Sequence, residues 1–480
     1  MDTGKLIIAI SALGAAHLFA ASADENWGQW RGPSQNGVAP KADPPTEWSE
    51  SKNVKWKFKL AGEGSASPIV WDNYVFVQSA VPAAKKPDAK LNIAPQFAGQ
   101  QQPPPNDSRV RPREPGAPDG APRRRGPGGP AGGFGGGAAP KDPFQFTLIA
   151  IDRTSGKPAW QKVLREEVPH EGHHQSDGTF ASASPIADAD GVYAYFGSRG
   201  LYALDHKGNV KWQKDLGKAR MKNAFGEGSS PALHGNTLVV NWDHEGDDFI
   251  VAFDKRDGKE LWRQPRSEST SWSTPLIVNA SGTAQVVVNA SDKVRSYDLT
   301  SGKELWSVGP LTPNAIPSAV AGNGLIYCMS GFRGAALFAI KPGKIGDIAN
   351  TDAIAWTYNK DTPYVPSPLL YEDRLYFFKG NEATLTILDA KAGTALVEAQ
   401  RLEGARGVYA SPIGAAGRVY IVGRDGGALV LKKGDKAEVL ATNKLDDRFD
   451  ASPAAVGKEL YLRGRQYLYC IAPTERAELK

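Results

Sequence analysis

The chain has 480 residues, 41% of them apolar, with 57 Lys and Arg against 52 Asp and Glu. That composition suits a soluble globular protein and excludes a multi-span membrane protein. The whole surplus of +5 falls within residues 82–142, where ten basic side chains face five acidic ones, so the rest is neutral and nucleic-acid binding by bulk charge is excluded.

The first element is a leader over 1–23. Lys5 precedes an apolar run over 6–16 that continues through Leu18-Phe19-Ala20, and Ala21-Ser22-Ala23 reads as a small-residue cleavage site. This predicts a signal peptide cut near Ala23 and an exported product, periplasmic or secreted. Asp2 departs from the usual positive start. An uncleaved anchor is the alternative, although the run is short for a membrane span. No later segment is apolar and long enough to cross a bilayer.

From 24 to 480 one phrase recurs eight times. A Ser-Pro strand start stands at Ser67, Ser184, Ser230, Thr274, Ser367, Ser411 and Ser452, with Ser318-Ala319 as a degenerate copy. A Gly-Lys-x-x-Trp-like strand end stands at Trp56, Trp160, Trp212, Trp262, Trp306 and Trp356, and weaker copies without Trp run through 394–402 and 436–445. A period near 44 residues signals a solenoid, a propeller or an array. Each unit reads as four short strands. In the fourth these are 274–279, 284–289, 294–299 and 304–308, separated by Ser-Gly, Ser-Asp and Ser-Gly-Lys turns. Asp152, Asp254 and Asp298 each precede a Gly-Lys pair by four residues, which suits an Asp-capped turn with glycine in the left-handed region. The recurring Trp is expected to pack between neighbouring blades.

The phase of the repeat predicts how the ring closes. The strand-end pattern 53–57 precedes the first Ser-Pro, and the last unit stops after three strands. The fold is therefore expected to be all-β, an eight-bladed β-propeller of four-stranded antiparallel blades whose last blade is completed by the N-terminal strand. One segment breaks the pattern. Residues 82–143 are rich in Pro, Gly, Gln and Arg and are expected to form a disordered insertion within blade one. The two cysteines, Cys328 and Cys470, fall in the second strand of unit five and the third strand of unit eight. These units are not neighbours in a ring, so two free, buried thiols are expected.

Candidate sites belong on the face where second strands end and first strands begin. Turns after the second strands carry Arg199, Lys293 with Arg295, Arg333, Lys379, Arg424, and Arg463 with Arg465. These predict a ring of positive charge at the channel mouth, suited to a carboxylate-rich ligand; the competing reading is ordinary hairpin residues paired with nearby acids such as Asp425. Segments entering the first strands supply Phe180, Glu227, Trp272, Asn314, Tyr364, Tyr409 and Asp450, which would either stack a planar ligand or plug the channel. Two clusters are metal-like: His170, Glu171, His173 and His174 with Asp177, and Asp243, His244 and Glu245 with Asp247 and Asp248. Neither has the spacing of a defined metal motif.

The repeat resembles the pyrroloquinoline-quinone (PQQ) repeat. The residues that carry the resemblance are Ala183-Ser184-Pro185-Ile186, Gly191-Val192-Tyr193, Gly200-Leu201-Tyr202-Ala203-Leu204-Asp205 and Gly208-Asn209-Val210-Lys211-Trp212. That family includes quinoprotein dehydrogenases, the propeller lipoprotein of the outer-membrane barrel-assembly machinery, and a large group of exported bacterial propellers. The opening Trp27-Gly28-Gln29-Trp30-Arg31-Gly32-Pro33 looks most like the last group, as does Asn241-Trp242-Asp243-His244-Glu245-Gly246-Asp247. The departures bear on function. The adjacent cysteines of the dehydrogenases, the Cys-x-x-Cys-His of haem-bearing members and the lipid-accepting cysteine are all missing, and no catalytic residue carries over.

Two readings follow. One is a ligand- or protein-binding scaffold in the cell envelope, with an envelope protein or a small anion as partner and no nucleic acid. The other is a PQQ-dependent oxidoreductase of the alcohol or sugar dehydrogenase type, with calcium beside the quinone. In that second reading Arg199, Trp272, Arg333, Tyr364, Lys379, Tyr409, Arg424 and Arg465 would hold the cofactor. A metal would fall to His170, His173, His174, Asp243, His244 and Glu245.

Overall fold

The structure, a computed structural model, describes residues 23–83, 135–280 and 282–474. The expected signal peptide, except Ala23, and the body of the expected insertion, 84–134, lie outside the described residues.

Eight antiparallel sheets follow one another in chain order. Blade 1 consists of Ile69–Trp71, Tyr74–Pro82, Phe144–Asp152 and Pro158–Glu167. The insertion branches from its second and third strands, whose last rung pairs Pro82 with Phe144. Blade 4 is Leu276–Ala280, Thr283–Val288, Val294–Asp298 and Glu304–Val308, within a residue or two of the spans read from sequence. Blade 8 takes three strands from the C-terminal end, Ala454–Val456, Glu459–Arg463 and Tyr467–Ile471. Its fourth is Val54–Lys59, antiparallel to the last, with Val54 opposite Ile471 and Lys59 opposite Tyr467. The N-terminal strand thus closes the ring as the phase of the repeat requires.

The middle strands are buried on both faces, as Leu325–Ser330 is throughout, because neighbouring blades cover them. Outer strands such as Val54–Lys59 alternate half-buried and exposed residues. Cys328 and Cys470 are free and buried, and burial pushes both thiols well above their ordinary range.

The Ser-Pro phrase has a physical role that its position alone did not disclose. The N–H of Ser67 donates to the hydroxyl of Ser184 at 2.9 Å, Ser184 to Ser230 at 2.9 Å, and Ser230 to Thr274 at 3.0 Å. The series continues from Thr274 to Ser318, Ser367, Ser411 and Ser452 at 2.8–3.0 Å. Ser452 then donates back to the hydroxyl of Ser67 at 3.0 Å. All eight bonds are buried and together form a closed circle through the inner ends of the blades. Threonine serves because it keeps the hydroxyl. Ser318 serves without its proline because the hydroxyl, not the ring, accepts the bond. Elsewhere the proline adds no N–H that this crowded inner rim would have to satisfy.

The outer phrase joins the same neighbours a second time. Trp212 Nε1 of blade 2 donates to the Lys255 carbonyl of blade 3 at 2.9 Å. Its ring also covers Gly258, at φ +74°, where a Cβ would stand 2.8 Å from the indole. Trp56, Trp160, Trp262 and Trp356 repeat this bond to the next blade. Trp306 departs from the pattern. In blade 5 the longer connection 341–353 replaces the short Asp-to-Gly turn, its Gly346–Asp347 lies parallel to Glu304–Val308, and Trp306 Nε1 turns to Gln285 Oε1 of its own blade 4 at 3.1 Å.

The central channel is filled by residues 27–39. The Trp27 and Val70 backbones bond to each other in blade 1, and Gly28 O accepts from Ala187 of blade 2. Gln35 Oε1 accepts from Ile277 of blade 4, and Val38–Ala39 pairs in parallel with Ile413–Ala415 of blade 7. Arg31, 3% exposed, donates to the Pro412 carbonyl at 2.8 Å and the Pro368 carbonyl at 2.6 Å. It has no carboxylate partner among the described residues, and burial lowers its pKa to about 9.

Replacing one hydroxyl tests the circle. Ser184→Ala leaves the buried Ser67 N–H without an acceptor and is expected to cost about 1–3 kcal/mol in denaturant unfolding. Ser184→Thr should retain most of the stability, as Thr274 does. Equal stability of the Ala variant and the parent would show that the circle contributes nothing.

Candidate functional site

The loops at the mouth of the channel are ordered by the same repeat, since second strands end there and first strands begin there. Two connections are longer than the rest: 168–183 between blades 1 and 2, and 215–229 between blades 2 and 3. The first does not stay between its two blades. Asp177 Oδ1 accepts from Arg424 Nη1 of blade 7 at 2.6 Å, and the Ser176 carbonyl accepts from Arg448 and Arg465 at 2.8 Å each. The connection is therefore a strap across the mouth.

Most of the predicted basic ring is present but engaged. Arg199 is 4% exposed and donates to Glu227 Oε1 at 2.6 Å, while Glu227 Oε2 also accepts from the Ser198 N–H at 2.7 Å. Burial raises the Glu227 pKa, with Arg199 opposing it. Arg295 pairs with Glu268 at 2.9 Å, Lys293 with Asp347 at 3.2 Å, and Lys379 with Asp361 at 3.1 Å. Arg424 bonds Asp450 as well as Asp177, and Arg465 reaches Asp450 at 3.3 Å. Arg333 is exposed, has no acidic partner among the described residues, and stacks 5.1 Å from the Phe332 ring centroid. Arg463 is 1% exposed and donates to the Ala66 carbonyl at 3.0 Å and the Ser79 hydroxyl at 3.3 Å, with no carboxylate partner among the described residues. Asp425 accepts the Arg406 and Gly427 backbone N–H groups and lies 4.0 Å from Lys444, outside the predicted ring.

The predicted aromatics divide into local groups. Tyr364 stacks on Phe332 at 4.7 Å. Tyr409 lies beneath Arg424, whose Cζ is 3.0 Å from the ring centroid. Trp272 Nε1 donates to the Gly226 carbonyl at 2.7 Å, and its ring faces Phe225. Arg199, with Phe146 and Phe180 each 5.5 Å away, forms a separate group at blades 1 and 2. Tyr409, Arg424 and Arg465 meet through Asp177 and Asp450, and Arg333 meets Tyr364 through Phe332.

The His and Asp clusters point in different directions. His170 Nε2 contacts the Ala219 carbonyl at 2.6 Å, His173 Nε2 contacts Glu63 Oε1 at 3.1 Å, and His174 Nδ1 lies 3.5 Å from Asp177. Asp243 and Arg266 form a fully buried ion pair at 2.6 Å, with Ser271 Oγ donating to the same carboxylate at 2.6 Å. His244 Nδ1 accepts the Arg220 N–H at 3.3 Å and Glu245 accepts the Thr270 hydroxyl at 2.8 Å. Among the described residues no three His, Cys, Asp or Glu side chains form a metal-holding group. A quinone with three carboxylates and a calcium ion would need free cations and a shared oxygen donor set. The residues described here do not fit that pair as they stand.

Two participants escaped the sequence reading. Arg448 has the same charge as its neighbours but lies outside the second-strand turns. Glu63 holds His173 from blade 1. Burial opposes a charged His173, yet the Glu63 carboxylate and the His174 carbonyl outweigh it and raise its pKa above 6.5. The pair then stabilises the fold fully below the unfolded value, and its contribution fades as pH rises through the folded one. An NMR titration should give a His173 midpoint above 6.5 that falls in Glu63→Gln. An unmoved midpoint would remove Glu63 as the cause.

The family model described as "Outer membrane protein assembly factor BamB" matches residues 145–247 and 246–480. The comparison with curated proteins finds no match. Among solved structures, the quinohemoprotein alcohol dehydrogenase from Comamonas testosteroni is 11% identical, with a TM-score of 0.59 over 95% of this chain and 82% of that one. The quinohemoprotein alcohol dehydrogenase ADHIIG from Pseudomonas putida HK5 is 11% identical with the same coverage and a TM-score of 0.56. BamB from Moraxella catarrhalis is 12% identical over 69% of this chain and 95% of that one, with a TM-score of 0.48. At these identities the two dehydrogenases show a shared fold and nothing finer.

Proposed function

The chain belongs to the PQQ-repeat propeller family described as outer membrane protein assembly factor BamB, and from that premise we propose that it is an exported binding scaffold of the cell envelope. One observation carries the reading. Six of the eight predicted cations at the channel mouth, all but Arg333 and Arg463, are already paired with an acid of the chain itself, while the N-terminal segment fills the channel below. Such a ring offers a rigid platform whose loops can hold a partner. Export rests on the leader over 1–23, and the partner is an envelope protein or a small anion.

The rival is the PQQ-dependent oxidoreductase. PQQ and calcium added to the purified protein should give no saturable thermal shift, no bound-quinone absorbance and no dye-linked oxidation of alcohols or sugars. Turnover with saturable quinone binding would overturn the scaffold reading. Affinity capture from envelope extracts should recover a partner that is lost when the mouth loops are altered.

A further inference from the structure

Behind the strap, between blades 8 and 1, lies a small cavity of about 70 Å³ lined by Arg448, Arg463, Arg465, Glu63 and Asp450 among others. Its charged side chains are those three cations and two acids, so one positive charge is left over before His173, beside Glu63, is counted. The surplus is not spread evenly. Arg465 and Arg448 approach Asp450 at 3.3 and 3.4 Å, and Glu63 is occupied by His173. Arg463 has no acidic partner among the described residues. Of its five N–H donors two are engaged, by one carbonyl and one hydroxyl, and its Nε is without a partner. Burial alone lowers its pKa to about 9.

The backbone is shaped around this guanidinium. A Cβ at Gly64 would stand 2.1 Å from Arg463 Nη2, so only glycine leaves the room that the side chain occupies. Next door, the chain shows what these arginines accept. A carboxylate oxygen of Asp177 sits on Arg424, and the Ser176 carbonyl bridges Arg448 and Arg465. A buried cation without a counter-ion is costly, and arginine recognises planar carboxylates in a bidentate manner.

We propose that this cavity binds a carboxylate, with Arg463 beneath it and Arg448 and Arg465 at its entrance. The inference deepens the scaffold reading and rests on it, by naming the chemistry that the mouth would hold. The group could belong to a free small acid or to the C-terminus of a bound protein segment. Two probes separate these sources: sodium succinate, and a short peptide with a free C-terminal carboxylate beside its amidated twin.

Thermal unfolding with succinate should give a saturable rise in midpoint that sodium chloride at equal ionic strength does not give. Alternatively the free peptide should bind and its amidated twin should not. Either result supports the site and identifies its source. Arg448→Gln should weaken the response by about tenfold, equivalent to about 1.4 kcal/mol. Arg463→Met should abolish it; should that variant not fold, Arg448→Gln still decides. No response from either probe, or the same response in the parent and Arg448→Gln, overturns the site. Partner capture is read separately, so failure here would leave the scaffold result standing, and failed capture would leave carboxylate binding standing.

Discussion

Every blade donates one backbone N–H to a hydroxyl of the next, and the eighth donates to the first. A chain of such bonds is satisfied at every member only if it is closed. The N-terminal strand in blade 8 is what brings the eighth donor to the first hydroxyl. Closure and polar satisfaction are thus the same constraint seen at two radii. The outer Trp bonds repeat the linkage between five neighbouring pairs and leave the inner circle as the feature common to all eight.

A closed inner rim also determines where function can lie. Residues 27–39 occupy the channel that it encloses, running mostly through turns and bonding to inner strands on several sides. Arg31 is tolerated there because carbonyls of the Ser-Pro phrase itself receive its guanidinium. What stays available is the mouth. There the long strap 168–183 crosses from blade 2 to blades 7 and 8, whereas a short connection such as 445–451 only joins neighbours. Length beyond the need to join two blades is what lets Asp177 reach Arg424.

The fold was legible in the sequence because its signals are local and repeated. Strand spans in blade 4, the Asp-capped turns and the closing strand all follow from patterns within one unit. The role of the Ser-Pro hydroxyl was not legible, since each bond joins residues a full repeat apart and the phrase suits a strand start equally well. The basic ring shows the same limit. Arg199, Arg424 and Arg465 were visible as charges in one phase. Their partners Glu227 and Asp450 stood in the entering segments, and nothing in one dimension aims them at each other. The His and Asp clusters misled for a related reason. Side chains adjacent in sequence, such as His173 and His174, leave a loop in opposite directions, one toward Glu63 and the other toward Asp177.

Blade 5 shows how tightly the two linkages are coupled. Its third and fourth strands are joined by the longer connection 341–353 rather than a short Asp-to-Gly turn, and Trp306 of blade 4 bonds within blade 4 instead. A short parallel segment, Gly346–Asp347, lies along the outer strand of blade 4 instead and protects an edge that the missing contact would expose. Ser318 in the same blade has lost its proline yet keeps both inner bonds. The outer linkage can be rebuilt locally because solvent and nearby side chains offer substitutes. The inner one is made by a hydroxyl at all eight positions, Ser318 included, where the proline of the phrase is replaced.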